Sequence, residues 1–88
     1  MKISLRQSGG FGGLTRSAEL DTATLKGAEA KKVEEWAHAV LAAPGGRSPK
    51  ARDVKVYTFT IDDEQRVFDD TTLTKEAGDL ADYLMKRP

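Results

Sequence analysis

The chain contains no cysteine and one histidine, His38. The first absence removes disulfides and thiolate metal sites, and it suits a reducing compartment. Together the two leave no ligand cluster for a structural zinc. Charge of one sign is missing as well. Lys+Arg and Asp+Glu each total 14, for a formal net charge of zero. Nucleic-acid binders carry a basic excess or a basic stripe. Here only Arg47, Lys50, Arg52 and Lys55 lie near one another, so no nucleic-acid partner is expected. No apolar run approaches the roughly 20 residues of a membrane span. The opening residues Met1-Lys2-Ile3-Ser4-Leu5-Arg6 lack the apolar stretch and cleavage site of a secretory leader, and neither end carries a lipidation signal. The expectation is a cytoplasmic protein without a membrane partner.

What is present is patterned. At 88 residues the chain is read as a single domain, 1–88, with a small core. Lys2 to Ser8 alternates apolar and polar residues, the period of a half-buried strand. Gly9-Gly10-Phe11-Gly12-Gly13 interrupts it, and Leu14 to Leu20 resumes the alternation with Leu14, Ala18 and Leu20 on one face. Two such strands around a glycine-rich loop predict a hairpin. From about Gly27 to Ala43 the period becomes helical: Val33, Trp36, Ala37, Val40 and Leu41 form one apolar stripe. Pro44-Gly45-Gly46 stops that helix. A polar, basic loop follows to Asp53.

Val54 to Ile61 is β-branched or aromatic at nearly every position and predicts a strand. Asp62-Asp63-Glu64-Gln65 reads as a turn, and Arg66 to Asp69 as the return strand. A second helix is predicted from about Thr74 to Lys86, capped by Thr72 or Thr74. Its stripe is Leu73, Ala77, Leu80, Ala81 and Leu84; Gly78 within it costs about 1 kcal/mol against alanine. The order ββαββα predicts an α+β fold, a two-layer domain whose antiparallel four-stranded sheet is packed by two helices. Trp36 and Leu80 are expected to pack on Phe59 and Ile61.

Residues able to do chemistry do not assemble into a pattern. His38 lies near the edge of the helix stripe without partners at a useful spacing, and Glu34 and Glu35 have no nucleophile or second ligand beside them. Asp62, Asp63 and Glu64, with Asp69 and Asp70 one strand on, lack the glycine and final glutamate of a calcium loop and read as a solvated turn. No catalytic residue, cofactor or metal site is expected, and the chain is not read as an enzyme.

The unusual segment is Gly9 to Gly13. Glycines let backbone N–H groups approach a phosphate, but a dinucleotide fingerprint needs a helix next, and a strand follows here. Two readings of Phe11 remain. It folds back on the core, which is worth about 1.5–3 kcal/mol, or it is displayed with Leu14 as an anchor for a partner.

The run Arg6-Gln7-Ser8-Gly9-Gly10-Phe11-Gly12-Gly13-Leu14-Thr15-Arg16 resembles the N-terminal signature of the emfourin family, small bacterial inhibitors of thermolysin-like zinc metallopeptidases. That signature is a strand, then Ser/Thr-Gly-Gly-Phe-Ala/Gly-Gly, an aliphatic residue and a second strand. Asp21 before the helix, the strand pair Tyr57 to Ile61 and Arg66 to Asp69, and the leucine-bearing last helix are similar too. The resemblance implies a protein inhibitor that wedges a loop and adjoining termini into the cleft of a thermolysin-like metallopeptidase and blocks it sterically. It implies partner-binding roles for Ser8, Gly9, Gly10, Phe11, Gly12, Gly13 and Leu14, with the basic loop residues Arg47, Lys50 and Arg52 as a second contact. The free protein is expected to be a monomer. The alternative is a protein–protein interaction module or assembly subunit that recruits a partner along an exposed edge strand.

Overall fold

The computed structural model describes residues 1–9, 15–46 and 54–86. Its elements are β1 (Lys2–Gly9), β2 (Arg16–Asp21), α1 (Gly27–Ala42), β3 (Lys55–Ile61), β4 (Glu64–Asp69) and α2 (Lys75–Lys86), with a 3₁₀ turn at Thr22–Thr24. The strands form one antiparallel sheet in the order β2-β1-β3-β4. Both expected hairpins are present, and the sheet is completed by pairing β1 with β3 at its centre, with Ile3 opposite Ile61 and Gly9 opposite Lys55.

The period-two alternation sends Ile3, Leu5, Leu20, Phe59, Ile61 and Phe68 into a buried layer. Phe59 and Phe68 meet edge to face, with centroids 6.0 Å apart and planes at 78°. The helices close this layer with Val33, Ala37 and Val40 from α1 and with Ala77, Leu80, Ala81 and Leu84 from α2. Leu80 thus joins Phe59 and Ile61 in the core, as expected. Trp36 does not: it is half-buried at the rim of the cluster. The centre of the α1 stripe runs through Val33, Ala37 and Val40, and position 36 is turned about 100° from 37. That turn aims the indole across the seam between the helices, where it packs 5.9 Å from the Tyr83 ring under the Lys32 ammonium.

Local chemistry sets the boundaries. The second hairpin turns on Asp62-Asp63 alone, with Asp62 at φ 54, so β4 begins at Glu64 and the expected four-residue turn contracts to two. Aspartate tolerates this left-handed conformation better than most residues. Asp62 also ties β1 down: its N–H donates to the Lys2 carbonyl and its Oδ1 accepts from the Lys2 N–H. Of the two threonines that could cap α2, Thr74 does so, its Oγ1 accepting from the Ala77 N–H at 3.1 Å. Helix α1 ends at carbonyls that Arg66 serves: Nε donates to the Ala43 oxygen and Nη2 to the Leu41 oxygen. A cation there also complements the helix dipole.

Asp62, Asp63 and Glu64 are exposed, as the solvated-turn reading expects, and Asp69, one strand on, differs from them. It is fully buried. Its Oδ1 accepts from the N–H and hydroxyl of Thr71 and from the N–H of Thr72. The carboxylate thereby folds the chain between β4 and α2 into an Asx turn. Asp69-Asp70-Thr71-Thr72 is good turn chemistry, but the alternation of β4 alone does not reveal that its last residue is sealed beneath the next segment.

Candidate partner-binding site

Of the residues the sequence singled out for a partner, the structure describes Ser8 and Gly9, at one end of the sheet. Ser8 is half-buried and pairs with Val56; Gly9 is exposed and pairs with Lys55. Gly9 takes φ +84, and a Cβ there would stand 3.0 Å from the Val54 carbonyl oxygen. Only glycine allows both that conformation and that approach. The strand therefore ends with Gly9 pressed against Val54. Residue 10 follows the one and residue 53 precedes the other. The other two ends are also held: Arg16 pairs with Gln7, and Gly46 is bonded on both sides. Its N–H donates to the Val67 oxygen at 2.7 Å, and its carbonyl accepts from Thr72 Oγ1 at 2.7 Å. Thus the described residues bracketing 10–14 and those bracketing 47–53 are tied to the same sheet, and two of them touch. Gly10, Phe11, Gly12, Gly13, Leu14, Arg47, Lys50 and Arg52 lie outside the described residues.

Beside Gly9 sits a polar node that the sequence did not announce. Asp70 accepts from the Lys55 N–H at 3.0 Å and from the Tyr57 hydroxyl at 2.8 Å. The Tyr57 phenol is pushed up to about 12, chiefly by burial, then by its bond to Asp70 and by the charges of Asp70 and Asp82. Tyr57, Gln7, Arg16, Leu73 and Asp82 line an open groove of about 600 Å³ between α2 and the sheet. The signal that could have found the node is parity. Tyr57 shares a face with Phe59 and Ile61, so its hydroxyl had to meet a partner near the end of α2's approach.

The remaining candidates are dispersed. His38 is exposed on α1, Glu35 is exposed, and Glu34 accepts from the Thr22 hydroxyl at 2.7 Å. Among the described residues no three His, Cys, Asp or Glu side chains are grouped to hold a metal ion. Nor is any described helix long and apolar enough to cross a membrane.

These features define a small two-layer α+β protein. The emfourin family model matches residues 5–85, and the chain belongs to that family. Membership implies the role of a metallopeptidase inhibitor and the binding of metallopeptidases. No curated protein and no solved structure matches the chain.

Proposed function

We propose that this chain inhibits a thermolysin-like zinc metallopeptidase by inserting the segment around Phe11 into the active-site cleft and blocking it sterically. Family membership supports the inhibitor role. The observation that carries the mechanism is the contact of Gly9 with Val54, which brings the starting point of 10–14 against the end point of 47–53. A single concave partner can then engage both segments. Enzymes of this class favour bulky apolar residues beside the scissile bond, which suits Phe11 and Leu14. Arg47, Lys50 and Arg52 supply a basic contact at the rim. Holding the flanking residues Gly9 and Val54 in fixed positions lowers the entropic cost of binding. A standard interface takes about 800 Å² from each partner, close to one-seventh of the 5758 Å² surface of this chain.

The test is a titration of the purified protein into a panel of thermolysin-like peptidases, reading residual cleavage of a peptide substrate with and without added zinc. Saturable inhibition near one-to-one, indifferent to zinc, is expected. Phe11→Ala should weaken it by about 2 kcal/mol or more, as truncation of an interface anchor does. Unchanged inhibition by that variant removes Phe11 from the mechanism, and inhibition relieved by zinc replaces blockade with metal capture.

A further inference from the structure

The two edges of the sheet are treated differently. The Thr22 N–H donates to the Met1 carbonyl at 2.9 Å, so Lys2 and Asp21 form a non-hydrogen-bonded pair. It follows that Arg16, Ala18 and Leu20 bond β1, whereas the backbone groups of Ser17, Glu19 and Asp21 point away from the sheet. The same parity on β4 turns Gln65, Val67 and Asp69 outward, and four of their six backbone groups are bonded, the Gln65 oxygen by Arg66 Nη1. The Val67 oxygen accepts from Gly46, the Asp69 N–H donates to Thr72 Oγ1, and the Asp69 oxygen accepts from the Leu73 N–H. On β2 the outward groups meet one partner among the described residues, Thr24 Oγ1, which donates to the Asp21 oxygen at 2.7 Å. Ser17 and Glu19 are exposed. An open edge of this kind is normally blunted or covered.

Concave surface lies on both sides of this edge. On the open face of the sheet a depression of about 470 Å³ is lined by Lys2, Ser4, Glu19, Asp21, Thr60 and Asp62. On the helix side a second, of about 410 Å³, is lined by Ser17, Ala18, Leu20, Thr24 and Leu84, with Glu19 and Asp21 at its edge. An added strand sends successive side chains alternately to the two faces. Those on the open face meet three carboxylates, Glu19, Asp21 and Asp62, and one base, Lys2, with the N-terminal ammonium 3.9 Å from Asp21 Oδ1. Those on the helix face meet Ala18, Leu20 and Leu84.

We propose that the β2 edge is a second binding surface, which takes up an extended polypeptide segment as a fifth strand and selects segments in which Lys or Arg alternates with small apolar residues. Main-chain bonds to Ser17, Glu19 and Asp21 provide the attachment, and the two depressions provide the selection. A second copy of this chain is the poorer occupant, because it brings its own Glu19 and Asp21 to an edge already acidic. The surface lies on the far side of β2 from Gly9 and does not depend on the peptidase reading.

The experiment is an amide-resolved NMR titration of the full chain with acetyl-Lys-Val-Lys-Val-Lys-amide, with acetyl-Glu-Val-Glu-Val-Glu-amide as the control. The lysine peptide is expected to shift the amides of Ser17, Glu19 and Asp21 saturably and to slow their hydrogen exchange. The exposed Glu19→Lys variant, whose fold is read from the same spectra, should bind it about five-fold more weakly, the upper range for one surface charge pair. Three results overturn the proposal: no response at these amides, an equal response to the glutamate peptide, or the same shifts appearing with protein concentration alone, which gives the edge to a second copy.

Discussion

Replacing Asp69 by alanine tests whether one buried carboxylate organises the junction between β4 and α2. The side chain has no exposed surface and accepts bonds from Thr71 N–H at 2.8 Å, Thr71 Oγ1 and Thr72 N–H at 3.1 Å. Each bond is worth about 1 kcal/mol net, and the donors are only part-buried, so water recovers some of what is lost. The expected cost is about 3 kcal/mol. For a chain of this size that corresponds to a fall in Tm of roughly 15 °C. Asp69→Asn keeps an oxygen acceptor but loses the charge and introduces a buried amide donor, so about half the effect is expected. Urea and thermal unfolding followed by circular dichroism measure both variants, and the urea midpoint should fall at constant slope. If Asp69→Ala lies within about 0.5 kcal/mol of the parent, as an ordinary surface change does, the carboxylate does not hold this junction.

Gly78→Ala should stabilise the chain by up to about 1 kcal/mol, because the new Cβ meets only Leu73 Cδ2 at an ordinary 3.7 Å; a lowered Tm would show that the site has no room. Gly9→Ala should cost about 1–2 kcal/mol for the left-handed backbone. It should also weaken peptidase inhibition more than Val40→Ala, which opens a cavity in the core away from the sheet end; equal inhibition constants for the two would separate Gly9 from binding. Tyr57 has its folded pKa raised from 10.0 to about 12, so the stability it contributes is complete below pH 10 and is lost between pH 10 and 12. Tyr57→Phe should therefore be less pH-dependent than the parent in that window, where the lysines affect both alike; parallel unfolding curves would contradict the assignment.

Most of the architecture was legible because two periods carry it. Ile3 and Leu5 alternate with polar neighbours, and Val33, Ala37 and Val40 recur at helical spacing, so element types and the buried faces followed from local pattern. What local pattern does not contain is which strands meet across the middle. The β1–β3 pairing joins residues far apart in the chain, and the burial of Asp69 follows from the path of the segment after it. Trp36 lies at the rim for a related reason: its period fits the stripe, but the neighbouring helix, through Tyr83, determines which side of the stripe receives a bulky ring. At the candidate site, the glycine signature identified Ser8 and Gly9 as special. The face that Tyr57 takes followed from parity, but its partner Asp70 and the adjacency of Gly9 to Val54 depend on tertiary register and had no counterpart in spacing.

The central pairing has a consequence for the order in which the protein comes into being. Ile3 and Ile61 are register partners, so the sheet cannot close until the third strand has been synthesised. An isolated two-stranded hairpin is marginal in water, and closing so long a loop precedes any gain from the contacts it brings. A nascent chain that has not yet reached Lys55 therefore has an N-terminal hairpin without the neighbour that holds Gly9 in place. On the proposed mechanism, translation products that stop before Lys55 should therefore not compete for the peptidase.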